Sequence, residues 1–149
     1  MPDTCSACER SETATDALSD RGVRLTEVRR DVLQTLHHAE KPVGAYELFD
    51  QLKEAGKASA PPAVYRVLDF LVEQGLAHKL QSLSAYTACK SAPHPHEAFF
   101  LICRECGHVS ETTAPASMIE TARNGGFTPE HLVVEAIGLC ESCQETAHV

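Results

Sequence analysis

No apolar run in this chain approaches the roughly 20 residues that a membrane-spanning helix needs. Residues Met1 to Ser11 are acidic and polar and have no apolar centre, so they do not resemble a secretory signal. The expected location is therefore the cytoplasm, with no membrane partner. Disulfides are rare there, so paired cysteines are read as metal ligands or redox thiols. Also missing are a Ser/His/Asp order, a glycine-rich phosphate loop and a His-Glu-x-x-His motif, so no enzyme and no small-molecule substrate are expected. There is no internal repeat and no low-complexity tract. Basic side chains are few, 13 Lys and Arg against 21 Asp and Glu, for a net charge of −8.

That net charge alone would argue against a nucleic-acid partner, but its distribution does not. Residues 1–20 carry net −4, residues 21–84 net +1 and residues 85–149 net −5. Nine of the 13 basic residues lie in the middle segment, the part electrostatically suited to phosphates. With 149 residues the chain has room for one ordinary domain or two small ones.

The apolar periodicity of the first half is helical. Residues 1–12 read as a flexible tail containing a Cys5-x-x-Cys8 pair, and a short helix is expected over Thr13 to Asp20. Thr26 caps a second helix to about Ala39, with Val28, Val32, Leu33 and Leu36 at helical spacing. A third covers about Ala45 to Ala55, with Leu48, Phe49 and Leu52 on one face. A fourth opens at Pro61-Pro62, where proline is tolerated in the first turn, and ends at Gly75. Two short strands follow, about Ala77 to Gln81 and Ala85 to Ala88, joined at Ser82-Leu83-Ser84. Three helices and a hairpin have the layout of a winged helix-turn-helix; the alternative is a small helical bundle with an appended hairpin. After a Ser/Ala/Pro-rich linker at 90–96 the pattern changes to strands at Ala98 to Cys103, Val109 to Thr112 and Leu132 to Leu139, with a helix at Ala116 to Asn124. The expected class is α/β (α+β), with a helical domain at 13–89 and a small α/β domain at 97–149.

Two Cys-x-x-Cys pairs, Cys103/Cys106 and Cys140/Cys143, each follow a strand. A two-residue gap lets both sulfurs of a turn point at one ion, and two such knuckles make the four-sulfur shell that zinc takes in closed structural sites. Paired disulfides or a redox dithiol are the competing readings. The 33 residues between the pairs exceed a compact zinc ribbon, so the ion would tie together the ends of a domain too small for a large core. A second set of donors clusters in sequence around the linker: His78, Cys89, His94, His96 and Glu111. Imidazoles with a thiolate and a carboxylate suit zinc.

Several of these motifs occur together in one known family. Arg24-Leu25-Thr26, Val64-Tyr65-Arg66-Val67-Leu68, His94-Pro95-His96 and the run from Phe100 to Gly107 resemble the ferric uptake regulator family over about residues 20 to 143. Pro61 to Arg66 and Gly138 to Cys143 are most similar to its zinc uptake regulator (Zur) branch. The resemblance implies a homodimeric, zinc-dependent repressor of zinc uptake genes, with a winged-helix DNA-binding domain, a hinge and a dimerisation domain. It implies two zinc ions per subunit, a structural one on Cys103, Cys106, Cys140 and Cys143 and a regulatory one on His78, Cys89, His96 and Glu111. It places Tyr65 and Arg66 on the helix that enters the major groove of operator DNA, and Arg24, Arg29 and Lys79 are expected near phosphates. Ala63 stands where the family usually has Thr, and Val28 where it commonly has Gln. Alternatives are an iron-, manganese- or peroxide-responsive member of the family, a thiol redox switch using Cys5/Cys8, or a zinc-ribbon accessory of an enzyme.

Overall fold

The computed structural model describes residues 6–90, 97–130 and 132–147. The chain divides into two compact units, Met1–Pro95 and His96–Val149.

The first unit contains α1 (Ser6–Asp20), α2 (Glu27–His38), β1 (Val43–Gly44), α3 (Ala45–Glu54), α4 (Pro61–Glu73), β2 (Ala77–Leu80) and β3 (Ala85–Ala88). Thr26 caps α2, its side chain accepting from the backbone N–H of Arg29 at 3.4 Å, and Glu27 in the first turn complements the helix dipole. Pro61 and Pro62 occupy the first turn of α4, where their missing N–H groups cost nothing. Just past the end of α4, Gly75 takes a left-handed conformation (φ +72°), and the N–H of Leu76 donates to the Leu71 carbonyl at 2.9 Å. The three strands form an antiparallel sheet in the order β1-β3-β2, with Val43 and Lys79 both opposite Tyr86. This is the winged helix-turn-helix expected from the periodicity, with α3 and α4 as the helix pair.

The core of this unit is one cluster. Val32, Leu33 and Leu36 of α2 meet Leu48 and Leu52 of α3, Val64, Leu68 and Leu71 of α4, and Tyr86 and Ala88 of β3. The i, i+4, i+7 spacing of Val64, Leu68 and Leu71 turns one side of α4 inward and leaves Tyr65, Arg66 and Asp69 outside.

Two boundaries differ from the sequence expectation. Helix α1 starts at Ser6 rather than Thr13, so part of the expected tail 1–12 is helical. No glycine or proline interrupts the chain between Pro2 and Gly22, and buried Ala14 and Leu18, four residues apart, dock α1 on α2. The expected turn at Ser82 to Ser84 is a 3₁₀ turn over Gln81–Leu83, closed by Ser84 in a left-handed conformation. Of the linker at 90–96, only Lys90 falls among the described residues.

The second unit contains β4 (Ala98–Cys103), β5 (Val109–Thr113), α5 (Ala116–Asn124), β6 (Val133–Gly138) and α6 (Glu141–Ala147). Its sheet has the order β5-β4-β6, with β4 antiparallel to β5 and parallel to β6. The parallel pairing needs a crossover, which includes α5. Leu101, Phe127, Val133 and Ile137 remain exposed in this unit. The described residues contain no helix long and apolar enough to cross a membrane.

Leu68 is fully buried at the centre of α4. Leu68→Ala is expected to lower unfolding stability by about 2–5 kcal/mol, whereas Leu83→Ser at an exposed site stays within about 0.5 kcal/mol. Urea unfolding of the zinc-loaded protein distinguishes the two.

Candidate metal centre and nucleic-acid face

The outward side of α4 presents Tyr65 and Arg66, both exposed. The ring of Tyr65 meets that of Tyr46, in the first turn of α3, edge to face at 6.5 Å between centroids and an interplanar angle of 84°. Tyr46 has 66% of its surface exposed. Tyr46 lies outside the α4 motif, and its only signal in the sequence is that of a large aromatic off the apolar face of α3. Arg24 and Lys79 are exposed. Arg29 differs from them: its guanidinium lies 3.6 Å from the centroid of the Phe70 ring, and its side chain is half-buried between α2 and α4. That stacking makes it part of the packing between the two helices.

Among the linker donors, His78 sits on β2 and Cys89 immediately follows β3. Pairing of Ala77 with Ala88 and of His78 with Thr87 sets both residues at the same end of the hairpin. A hydrogen bond from the Cys89 N–H to the Leu76 carbonyl at 2.9 Å extends that ladder. A ligand atom of His78 and the Cys89 sulfur lie within 4.8 Å of each other, and Cys89 is buried. Glu111 lies on β5 of the second unit, opposite Phe100 of β4, and is half-buried. His94 and His96 lie outside the described residues, as does Cys5; Cys8 falls within α1.

The four remaining cysteines converge. The sulfurs of Cys103, Cys106, Cys140 and Cys143 all lie within 4.8 Å of one another, and those of Cys106 and Cys140 are 3.8 Å apart. A tetrahedral zinc with sulfur at about 2.3 Å sets its ligands about 3.8 Å apart, so the donor set and its spacing fit that ion. A disulfide would need sulfurs at about 2.05 Å. The first knuckle is built at the end of β4. The Cys103 N–H donates to the His108 carbonyl at 2.9 Å, and Gly107, at φ +73°, returns its N–H to the Cys103 carbonyl at 3.0 Å. A side chain at that left-handed position would be strained, which accounts for glycine there. The second knuckle follows β6, and the N–H groups of Cys143 and Gln144 both donate to the Cys140 carbonyl. The two knuckles are joined directly. The Arg104 N–H donates to the Gly138 carbonyl at 2.9 Å, and the Cys140 N–H points at the Cys103 sulfur at 3.4 Å.

The thiols are electrostatically unequal. Backbone N–H groups of Cys106 and Cys140 aimed at its sulfur hold Cys103 down to about 6. Cys143 is pushed up to about 12, first by its hydrogen bond with the Cys140 side chain and then by burial and the neighbouring Cys106 and Cys103 sulfurs. Cys143 thus keeps its proton across the neutral range, and a dication that takes all four sulfurs displaces it. The sign follows: metal retention strengthens as pH rises and weakens on acidification. A chelator titration across the neutral range is expected to strip the ion more readily at the acid end. Cys103→Ser is expected to bind one zinc fewer per subunit and to unfold at lower temperature, as read by metal counting and thermal denaturation.

The sequence model of the ferric uptake regulator family matches residues 20–136. The zinc uptake regulation protein of Escherichia coli K12 is 41% identical over 131 residues, covering 85% of this chain and 77% of that protein. A solved zinc uptake regulator complexed with zinc and DNA superposes with a TM-score of 0.88 at 37% identity, over 98% of this chain and all of the other. The crystal structure of holo XcZur superposes with a TM-score of 0.81 at 39% identity, over 92% of this chain and 98% of the other. On its sequence, its winged helix and its cysteine knuckles, the chain belongs to the ferric uptake regulator family.

Proposed function

We propose that this protein is a zinc-sensing transcriptional repressor. It binds operator DNA as a homodimer when a regulatory zinc site is filled, and so controls zinc uptake genes in the cytoplasm. The observation that carries this reading is its likeness, over almost its full length, to a zinc uptake regulator solved with zinc and DNA. A winged helix-turn-helix with Tyr65 and Arg66 exposed on its second helix supports the DNA partner. The exposed apolar side chains of β6, Val133 and Ile137, support a second copy as the other partner.

Two zinc ions per subunit have separate roles in this proposal. Cys103, Cys106, Cys140 and Cys143 hold a structural ion in a closed shell with no open position, so that site is not a catalyst. His78, Cys89, His96 and Glu111 hold the regulatory ion. In chain order His78 and Cys89 belong to the first unit and His96 and Glu111 to the second, so an ion held by all four would restrict the two units to one relative orientation. The zinc-bound state is then favoured by as much as its zinc affinity exceeds that of the other orientations. In a symmetric dimer the orientation sets the separation of the two α4 helices, which must match half-sites about 34 Å apart or a multiple of that. By linkage, operator DNA tightens zinc binding by the factor that zinc tightens DNA binding. The thiolate of Cys89 favours zinc over iron or manganese, which prefer nitrogen and oxygen ligands.

On the DNA, Arg66 reads a base edge, most naturally guanine, and Tyr65 lies against a thymine methyl or a phosphate. Arg24 and Lys79 neutralise phosphates. Arg29 acts mainly through its stacking on Phe70.

Gel-shift titration with buffered free zinc, run against iron and manganese, tests the reading. Cys89→Ser is expected to lose zinc-dependent operator binding at limiting zinc while keeping about one zinc per subunit. A variant with wild-type zinc response would remove Cys89 from the sensing site. Arg66→Ala is expected to cost about 1–3 kcal/mol of specific affinity and to relax base preference at one position of each half-site.

A further inference from the structure

We infer that Lys57 is a positioning residue for DNA readout: its ion pairs with Glu27 and Asp31 tie the turn between α3 and α4 to α2, and so hold α4 at the angle that specific binding needs. The inference rests on the DNA-binding reading above and goes beyond it, because Lys57, Glu27 and Asp31 act through α4 and read no base themselves.

Residues 55–60 join α3 to α4. The α3 side of this turn is locked locally. Gly56, left-handed at φ +70°, donates its N–H to the Lys53 carbonyl at 3.0 Å, and the Lys57 N–H donates to the Leu52 carbonyl at 2.8 Å. The α4 side has no such lock. Ala60 stands at the N-cap and has no side-chain oxygen to accept from the first turn of the helix. Ala58 packs against the core, but the other residues of the turn are exposed.

Lys57 supplies the missing tether. Its ammonium pairs with Glu27 at 3.1 Å and donates to the carboxylate of Asp31. Glu27 and Asp31 are four residues apart on α2, so both carboxylates lie on one face of that helix. Like charges at this spacing repel, and a lysine paired with both reverses the sign. The side chains of Lys57 and Asp31 keep only 33% and 29% of their surface exposed. Both line, with Val32, Leu48 and Leu52, a recess of about 200 Å³. The lysine stem thus borders apolar surface while its head meets two carboxylates. A single exposed pair contributes little, but here one partly covered cation is shared by two anions.

In a helix-turn-helix the N-terminal residues of the second helix contact the base edges. Lys57 lies four residues before Pro61, the first residue of α4. A tether at that point limits how α4 tilts against α2. Non-specific binding runs through phosphates and tolerates a tilt, whereas base-edge contacts do not. The tether is therefore expected to act on discrimination between sequences more than on total DNA affinity.

The test uses full-length, zinc-loaded protein and two probes, a duplex selected by the wild type from a randomised pool and a scrambled duplex of the same composition. The quantity read is the ratio of the two affinities. Glu27→Gln/Asp31→Asn removes both carboxylates and leaves Lys57 in place. That variant is more basic by two charges, so it is expected to bind the scrambled duplex more tightly. Its ratio is nevertheless expected to fall by about threefold per subunit, hence about tenfold in a dimer. Lys57→Met is expected to lower the ratio by the same factor, and Lys57→Arg to keep it. Adding Lys57→Met to the double variant should lower it no further, because the three side chains act as one unit. Hydrogen exchange separates positioning from loss of fold. In Lys57→Met the amides of Ala58, Ser59, Ala60 and Ala63 are expected to exchange faster, while those from Val32 to Leu36 of α2 keep their protection. Loss of protection throughout the first unit would make the tether merely structural and overturn the inference. If Glu27→Gln/Asp31→Asn keeps the wild-type ratio, or if Lys57→Met weakens both duplexes equally, Lys57 does not act through α4 and the inference fails alone. Failure of the wild type to select any duplex with zinc present would overturn the DNA-binding reading, and the inference with it.

Discussion

Four sulfurs within 4.8 Å of one another cannot all ionise without a cation among them, and in this chain one of them is already set to do so. Backbone N–H groups favour the thiolate at Cys103, and the crowding this creates is relieved by a proton kept on Cys143. A dication bound there would displace the remaining thiol protons and supply a charge all four ligands share. The second unit depends on this arrangement because its own core is slight. Its fully buried apolar side chains are few, chiefly Ala98, Phe100 and Ile102 of the central strand β4, while Leu101, Val133 and Ile137 stay in contact with water. The cysteine cluster ties the end of β4 to the segment after β6, and a partner subunit would cover the exposed strand face. Metal and dimer would thus supply what a unit of this size lacks in apolar burial.

The first unit is built the opposite way, around a continuous helical core, and this suits it to transmitting force as one body. Cys89 donates its backbone N–H to Leu76, and Leu76 donates in turn to Leu71 near the end of α4. Leu76 is fully buried in the same core as Leu68 and Leu71. The hairpin that carries His78 and Cys89 is therefore bonded directly to the helix that carries Tyr65 and Arg66. An ion held by His78 and Cys89, as proposed, would act on the whole winged helix, because close-packed interiors transmit displacement rather than absorb it. Arg29, stacked on Phe70, adds a further connection between α2 and α4.

Much of this was legible in the sequence, for reasons that differ by feature. The 3.6-residue spacing of Val32, Leu33 and Leu36 and of Val64, Leu68 and Leu71 identified α2 and α4 because those helices bury a single stripe. Thr26 and the Pro61-Pro62 pair marked helix starts because capping chemistry is local. The cysteine knuckles were legible because their spacing is itself the geometry. What escaped notice has little local signal. Strand β1 is two residues long and exists only through its pairing with β3. Helix α6 is polar and short, without an apolar stripe. The early start of α1 has no apolar stripe over residues 6–12 to mark it. The ring partners of Arg29 and Tyr46 were not legible for a related reason. A sequence shows an arginine or a tyrosine on a helix, but not the Phe70 or Tyr65 ring waiting on another one.

The charge balance, which first argued against a nucleic-acid partner, helps explain why such a protein can be switched. Phosphate neutralisation supplies most non-specific DNA affinity, and it acts whatever the orientation of the binding domains. On this chain the basic excess is small: residues 21–84 carry net +1, and Asp69 is exposed on α4 along with Arg66. A strongly basic domain would stay on DNA with or without zinc, because its affinity would not depend on the separation of the two α4 helices. With little such background, affinity in the proposed dimer would come mainly from contacts that require both helices in register at once. Those contacts are the ones a hinge can grant or withhold. The differential affinity that a regulatory ion can supply is limited, so it commands a larger share of DNA binding when the orientation-independent part is weak.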